Sequence, residues 1–141
     1  MRALVWRPTV HIRTEILWTS EYLTAEIWNF CFGSSEMALS DIEKRAEEIL
    51  NAGKFPLLLG GEHLVTLAAV RAAAAKYPNL HIIHFDAHAD LRDDYLGAKL
   101  SHACVLRRCH EIVGDGHIHQ FCIRSGEREE FQFASRHTDF H

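Results

Sequence analysis

Residues 81–90 read HIIHFDAHAD and join an apolar run to an alternating polar run. The first half is apolar and prone to β-structure, which is typical of a buried strand. In the second half, Asp86, His88 and Asp90 occupy alternate positions, and such side chains point to one face of an extended chain. Two carboxylates and an imidazole at a strand end suit a hard or borderline divalent cation. The alternative is a strand end with solvated aspartates and one stray histidine; the alternating pattern favours the metal site.

A second signal lies upstream, in residues 55–63. The apolar run over residues 55–59 predicts a short strand, and Gly60 and Gly61 allow a sharp turn from that strand into a helix. His63 then falls at the start of the helix, near the carboxyl ends of the strands, where open α/β sheets bind ligands. Taken alone, His63 also fits a core or surface histidine. Together with the alternating triplet it completes a set of four candidate ligands.

The rest of the chain alternates predicted helices and strands. Ser40 and Glu43 form a capping-box pattern ahead of apolar residues at helical spacing, and Gly53 fits a C-terminal cap. Further helices are predicted over about residues 63–77, after Ser101 and after Ser125, with strands over residues 81–86 and 118–123. A strand, a helix and a strand in succession predict parallel pairing with a right-handed crossover. The predicted fold class is therefore α/β with a parallel sheet.

Composition restricts the class of protein. The 141 residues suit one domain, and a net charge of −4 argues against a general nucleic-acid surface. No apolar run is long enough for a membrane span, and no signal peptide is evident. The four cysteines form no Cys-x-x-Cys pair and predict reduced thiols in a cytoplasmic protein. A zinc site at Cys104, Cys109 and His110 fits no common spacing, so core packing is favoured for these cysteines.

Several motifs give the chain a family resemblance. Residues 60–63 (GGEH), 86–90 (DAHAD) and 101–103 (SHA) resemble three ordered motifs of the ureohydrolases, the arginase and agmatinase family. Residues 90–93 (DLRD) and 123–131 (IRSGEREEF) are similar to agmatinases in particular. The resemblance covers residues 33–141 and implies the N-terminal part of a ureohydrolase domain, with a three-layer α/β/α fold around a parallel sheet. It also implies two Mn²⁺ ions, a homo-oligomer, and hydrolysis of a small guanidino substrate such as agmatine to putrescine and urea.

The same resemblance implies roles for individual residues. His63, Asp86 and Asp90 would bind one manganese ion, Asp86 would bridge to the second, and His88 would bind that second ion. His102, in the first turn of its predicted helix, would be a substrate-side or proton-shuttling residue. A solvated or backbone-facing histidine is the alternative interpretation of His102.

The sequence departs from the family pattern in one respect. The later Asp-x-Asp motif, which supplies two further aspartates in ureohydrolases, is absent, since the only aspartate after Asp115 is Asp139. We therefore expect a chain truncated at its C-terminus that holds one ion at most, with impaired or absent hydrolysis. The alternative function is a non-catalytic ureohydrolase fragment that retains partial metal binding or self-association. A zinc-dependent deacylase would also use Asp-x-His, but the GGEH and SHA motifs argue against it.

Residues 1–32 are atypical. They hold all three tryptophans and show no sustained helical or strand period. Codons read out of frame over residues 4–12 permit the string GLETYSPY, if Arg7 uses an AGN codon, and residues 25–31 permit GDLELL. Both strings resemble agmatinase sequence before the first metal motif. We therefore predict a frameshift in this segment, the alternative being a divergent but genuine N-terminal segment.

Overall fold

The computed structural model describes residues 33–141, and the predicted frameshift in residues 1–32 lies outside them. The described chain contains four α-helices and three short strands. In chain order these are α1 (Ser35–Asn51), α2 (Val65–Lys76), β1 (Ile82–Phe85), α3 (Val105–Val113), β2 (Ile118–Phe121), α4 (Arg128–His137) and β3 (Asp139–Phe140). A 3₁₀ turn over His102–Cys104 leads into α3.

The sheet is parallel, as predicted. Strand β2 lies between β1 and β3, with Ile82 opposite Ile118 and His119 opposite Asp139. Helix α3 connects β1 to β2, and α4 connects β2 to β3, so both connections have the β-α-β form that parallel pairing requires. The carboxyl ends of β1 and β2 therefore meet at one edge, which positions the chain segments after them side by side.

The predicted strand over residues 55–59 is wrong. No strand forms there, and Phe55, Leu57 and Leu59 are 88%, 65% and 60% exposed. An apolar run becomes a strand only when a neighbour completes its ladder of hydrogen bonds, and this run pairs with none of the described strands. Apolar composition alone therefore did not determine the structure of this segment.

Two predicted helix caps are also wrong. Helix α1 begins at Ser35, where the Ser34 hydroxyl accepts a hydrogen bond from the backbone N–H of Met37, so Ser40 lies inside the helix. Helix α4 is capped by Glu127 instead of Ser125, in a reciprocal capping box with Glu130. In each helix, the cap is therefore the polar residue with an extended backbone that directly precedes the first helical residue.

One apolar core joins the helices to the sheet. Its buried members include Leu39 of α1, Leu67 of α2, Leu106 of α3, Ile118 of β2 and Ala134 of α4. The opposite sheet face carries Ile83 and Phe85, which are 65% and 71% exposed. The described residues therefore cover one face of the parallel sheet.

Cysteines contribute to this core as predicted. Cys104 and Cys109 are free thiols and are fully buried. Burial raises the pKa of Cys109 to about 12, so this thiol stays protonated. His110, the third member of the rejected zinc set, instead lies beside Asp115.

Candidate metal centre

The turn before α2 positions His63. A Cβ added at Gly60 would lie 2.8 Å from Cγ2 of Val65, so this close approach of the turn to the helix excludes a larger side chain. The Glu62 carboxylate accepts a hydrogen bond from the backbone N–H of Leu64 at the start of the helix. His63 follows Glu62 directly, and its Nδ1 lies 2.7 Å from Oδ2 of Asp90.

Asp90 is held in an unusual backbone conformation. Its φ of 53° lies in the left-handed region, which is uncommon outside glycine. Its carbonyl oxygen accepts hydrogen bonds from the backbone N–H groups of Leu106 and Arg107 at the start of α3. Next to it, the backbone N–H of Leu91 donates to the buried carboxylate of Glu130 at 2.9 Å. These contacts fix the direction of the Asp90 side chain, since the backbone on both sides of it is anchored.

His63, His84, Asp86 and Asp90 bring four donor groups together. One nitrogen or carboxylate oxygen from each lies within 4.8 Å of all the others. His84 projects from β1, and Asp86 and Asp90 follow the carboxyl end of that strand. The imidazole of His63 and the two carboxylates are a mixed donor set that borderline dications such as Mn²⁺ and Zn²⁺ accept. The donor chemistry of the described residues therefore fits a divalent cation.

The charges of the cluster affect its two kinds of ligand differently. The hydrogen bond to Asp90 raises the pKa of His63, so a bound metal ion would have to displace a proton from this imidazole. Partial burial opposes ionisation of Asp86, but the backbone N–H of His88 and other donors outweigh it and lower the pKa of Asp86. The lowered pKa stabilises the anionic carboxylate of Asp86, which is the form that ligates a metal.

His84 is best interpreted as a support for Asp86. The Gln120 side-chain amide lies 2.9 Å from the carbonyl oxygen of Ala89, which only accepts hydrogen bonds, so the amide nitrogen must face it. That nitrogen is also 3.1 Å from Nδ1 of His84, which therefore accepts, leaving the proton on Nε2. Burial lowers the pKa of His84 and favours this neutral form.

The protonated Nε2 of His84 is buried without a hydrogen-bond partner and lies 3.6 Å from Oδ2 of Asp86. A nitrogen that carries a proton cannot ligate a metal. Its natural acceptor is the Asp86 carboxylate, which a small movement would bring into hydrogen-bond distance. His84 thus orients a ligand, as partners behind metal-binding side chains commonly do.

His88 lies outside the tight group, on the other side of Asp86. Its ring is 65% exposed, and its Nδ1 lies 3.3 Å from Oδ1 of Asp86. The backbone N–H of His88 donates to that same oxygen at 2.8 Å. Asp86 therefore presents Oδ2 towards His84 and Oδ1 towards His88.

His102 lies on the 3₁₀ turn before α3, away from the four donor groups. Its Nδ1 is 3.7 Å from Oε1 of Glu62, its ring packs edge-on against Tyr95, and its side chain is 59% exposed. The contact with Glu62 places His102 beside the turn that carries His63. The structure thus puts this predicted residue at the rim of the centre.

Comparison with known proteins gives matches in both sequence and structure. A sequence profile described as the arginase family matches residues 7–141. Agmatinase of Bacillus subtilis (strain 168) is 48% identical over 103 residues, which are 73% of this chain and 36% of that protein. The chain therefore spans about a third of the length of curated relatives that it matches.

Solved structures agree with the sequence match. The agmatine ureohydrolase of Thermoplasma volcanium is 38% identical, with a TM-score of 0.70 over 76% of this chain and 36% of that one. Arginase from Medicago truncatula is 28% identical, with a TM-score of 0.70 over 77% of this chain and 35% of that one.

Within residues 33–141, no helix is long and apolar enough to cross a membrane.

Proposed function

The chain belongs to the arginase family, and on that premise we propose that it supplies part of a manganese-dependent hydrolase that converts agmatine to putrescine and urea. The agmatinase-like ureohydrolase lineage of the chain rests on the family match and on the agmatinase relatives. The choice of agmatine among guanidino substrates follows the names of those relatives. We propose this activity for a protein of the relatives' full length, of which this chain spans about a third.

The observation that carries the proposal is the convergence of His63, Asp86 and Asp90. They come from two separate segments, the turn before α2 and the loop after β1, yet their donor atoms lie within 4.8 Å of one another. The 2.7 Å contact between His63 and Asp90 joins residues 27 positions apart. Such a convergence at the carboxyl edge of a parallel sheet is the usual place for a ligand site.

We assign His63, Asp86 and Asp90 to one manganese ion. The two carboxylate oxygens of Asp86 face different neighbours, His84 and His88, which supports a shared role with His88 on the side of a second ion. When bound, manganese would supply the Lewis acidity that activates water for attack on a guanidinium carbon. Within residues 33–141 we assign only Asp86 and His88 to a second ion of this centre, so we propose that the centre holds one manganese ion at most.

His102 is proposed as a substrate-side or proton-transferring residue. Its exposed ring beside Glu62 leaves a nitrogen available to a bound molecule at the rim of the centre. An imidazole exchanges protons near neutral pH, which suits transfer to a departing amine.

We further propose a reducing, cytoplasmic location, supported by the free Cys104, Cys109 and Cys122, and a homo-oligomeric state as in the family.

Manganese binding to the 141-residue chain tests the assignment without depending on activity. The signal of free Mn²⁺ in electron paramagnetic resonance gives the affinity. Asp86→Asn should weaken binding at least about tenfold, because it removes the shared carboxylate charge. Asp94→Asn is the matched control, since this exposed carboxylate of the same loop accepts a hydrogen bond from Gly97 and lies outside the cluster. Equal affinities for the two variants would contradict the metal assignment.

Activity is tested in a chain of the length found in the curated relatives. Such a protein should release urea from agmatine, Asp86→Asn should abolish the release, and His102→Asn should lower kcat while manganese affinity stays unchanged. Tight manganese binding without urea release would contradict the hydrolase proposal and support the binding-only alternative.

A further inference from the structure

A second group of candidate ligands lies at the opposite end of β2. His110 is in the last turn of α3, Asp115 lies in the turn between α3 and β2, and His137 ends α4. Asp115 precedes β2 by three positions, whereas the cluster around Asp86 follows the carboxyl end of β1. The four residues of β2 separate the two groups by about 13 Å along the strand, so they are distinct sites.

The two imidazoles converge on one oxygen. Nε2 of His110 lies 2.7 Å from Oδ1 of Asp115, and Nδ1 of His137 lies 2.8 Å from the same atom. Each nitrogen therefore directs its proton, or its lone pair when deprotonated, at a common point. A cation placed just in front of that oxygen would lie near both lone-pair directions.

The dimensions suit a small dication. The three donor atoms lie within 4.8 Å of one another, and a tetrahedral site with bonds of about 2.0 Å needs donors about 3.3 Å apart. The two nitrogen–oxygen separations of 2.7 and 2.8 Å must widen by about 0.5 Å, and the nitrogen–nitrogen separation must change by about 1.5 Å at most. Asp115 is 67% exposed and His137 34% exposed, so both side chains have room to adjust. The exposed carboxylate also leaves the remaining coordination positions open to water.

The surroundings hold the rings in place. The Phe133 ring stacks on His137 with centroids 4.3 Å apart and meets His110 edge-on at 4.9 Å. The backbone N–H of Gly116 donates to the carbonyl oxygen of His137, which ties the turn to the end of α4. His110 is the least exposed ligand, at 16%. In the form that ligates a metal, with both imidazoles neutral, the three side chains would carry a net charge of −1, which attracts a cation.

We propose that His110, Asp115 and His137 form a second metal site, selective for a nitrogen-preferring dication of the zinc type. Imidazole ligands suit zinc, whereas manganese favours oxygen-rich sets, so this site and the proposed manganese centre differ in preference. A bound ion would join the ends of α3 and α4 to the turn before β2. It would stabilise the native chain, since the three ligands meet only in the folded state.

The test measures zinc affinity of the full chain by competition with a chromogenic chelator, in an Asp86→Asn background that weakens the first centre. Binding should persist there, fall at least about 100-fold in His137→Gln, and fall similarly in Asp115→Asn. His119→Gln is the matched control, because this half-buried histidine also pairs with a carboxylate, Asp139, at 2.8 Å. It should change the affinity less than about threefold.

Thermal unfolding gives a second measure. Zinc in excess should raise Tm of the Asp86→Asn chain by about 5 °C or more, and leave that of the Asp115→Asn double variant unchanged. The exposed Asp115 keeps the test decisive even where His137→Gln does not fold. The proposal would be overturned if the Asp86→Asn chain bound no zinc. It would also be overturned if His119→Gln abolished zinc binding while His137→Gln and Asp115→Asn bound normally.

Discussion

Replacing Glu130 by glutamine should destabilise the loop that carries Asp90. One carboxylate oxygen of Glu130 accepts from the backbone N–H of Leu91 at 2.9 Å, and the other accepts from that of Glu127 at 2.7 Å. Glu130 is only 4% exposed. Glutamine has the same shape but a single acceptor oxygen, so one of the two backbone donors would face an amide N–H₂ group.

The magnitude follows from the burial. A buried donor left without an acceptor costs about 1–3 kcal/mol. The ion pair with Arg92 at 3.5 Å is lost too, and since Arg92 is 29% exposed, its contribution is only about 0.5 kcal/mol. We therefore expect the free energy of unfolding to fall by about 1.5–3.5 kcal/mol and Tm to fall by about 6–14 °C.

Urea denaturation and calorimetry measure this change, and Glu129→Gln is the control. Glu129 is an exposed carboxylate in the same first turn of α4, so its substitution should change stability by less than about 0.5 kcal/mol. Manganese affinity should fall in Glu130→Gln but not in Glu129→Gln, because Glu130 holds Leu91, which adjoins the proposed ligand Asp90. A Glu130→Gln chain as stable as Glu129→Gln would refute the argument that the buried carboxylate anchors the loop.

Three further predictions follow. Gly60→Ala should destabilise the chain by about 1–3 kcal/mol, because the new Cβ meets Val65 at 2.8 Å, while Gly61→Ala enters open space and should be nearly neutral by urea denaturation. The hydrogen bond from Arg108 lowers the pKa of Asp93 below 3.8, so the ionised pair stabilises the fold above that pH and loses its effect as pH falls through the folded pKa. The stability difference between wild type and Asp93→Asn should then shrink below about pH 4, and a constant difference would contradict the pairing. For residues 1–32, the frameshift hypothesis predicts that genomic DNA read in the alternative frame encodes GLETYSPY and GDLELL, and codons that give neither string would exclude it.

The sequence predicted strands correctly where a neighbouring strand was available to pair with them. The apolar run before Asp86 became β1, and the run around Ile118 became β2, because each found a parallel partner. The run over residues 55–59 is also apolar but has no described partner, so pairing, which is a tertiary property, decided the outcome. The alternation of Asp86, His88 and Asp90 predicted the candidate metal ligands, but not that His88 would be more exposed than the others.

Other parts of the site had weaker signals. His84 precedes Asp86 by two positions and so shares its side of an extended chain, but its place within an apolar run favours a strand residue over a ligand. Gln120 gave no local signal, since its link to His84 depends on the register of β1 and β2. The convergence of His110 and His137 on Asp115 likewise requires the packing of α3 against α4, which spacing along the chain does not reveal.

The central claim is that His63, Asp86 and Asp90 bind one manganese ion. The most direct measurement is anomalous X-ray scattering at the manganese edge from crystals of the chain grown with Mn²⁺. We predict a single strong peak in contact with Nδ1 of His63 and with carboxylate oxygens of Asp86 and Asp90. A peak that contacts none of these three side chains, or no peak at a saturating manganese concentration, would contradict it.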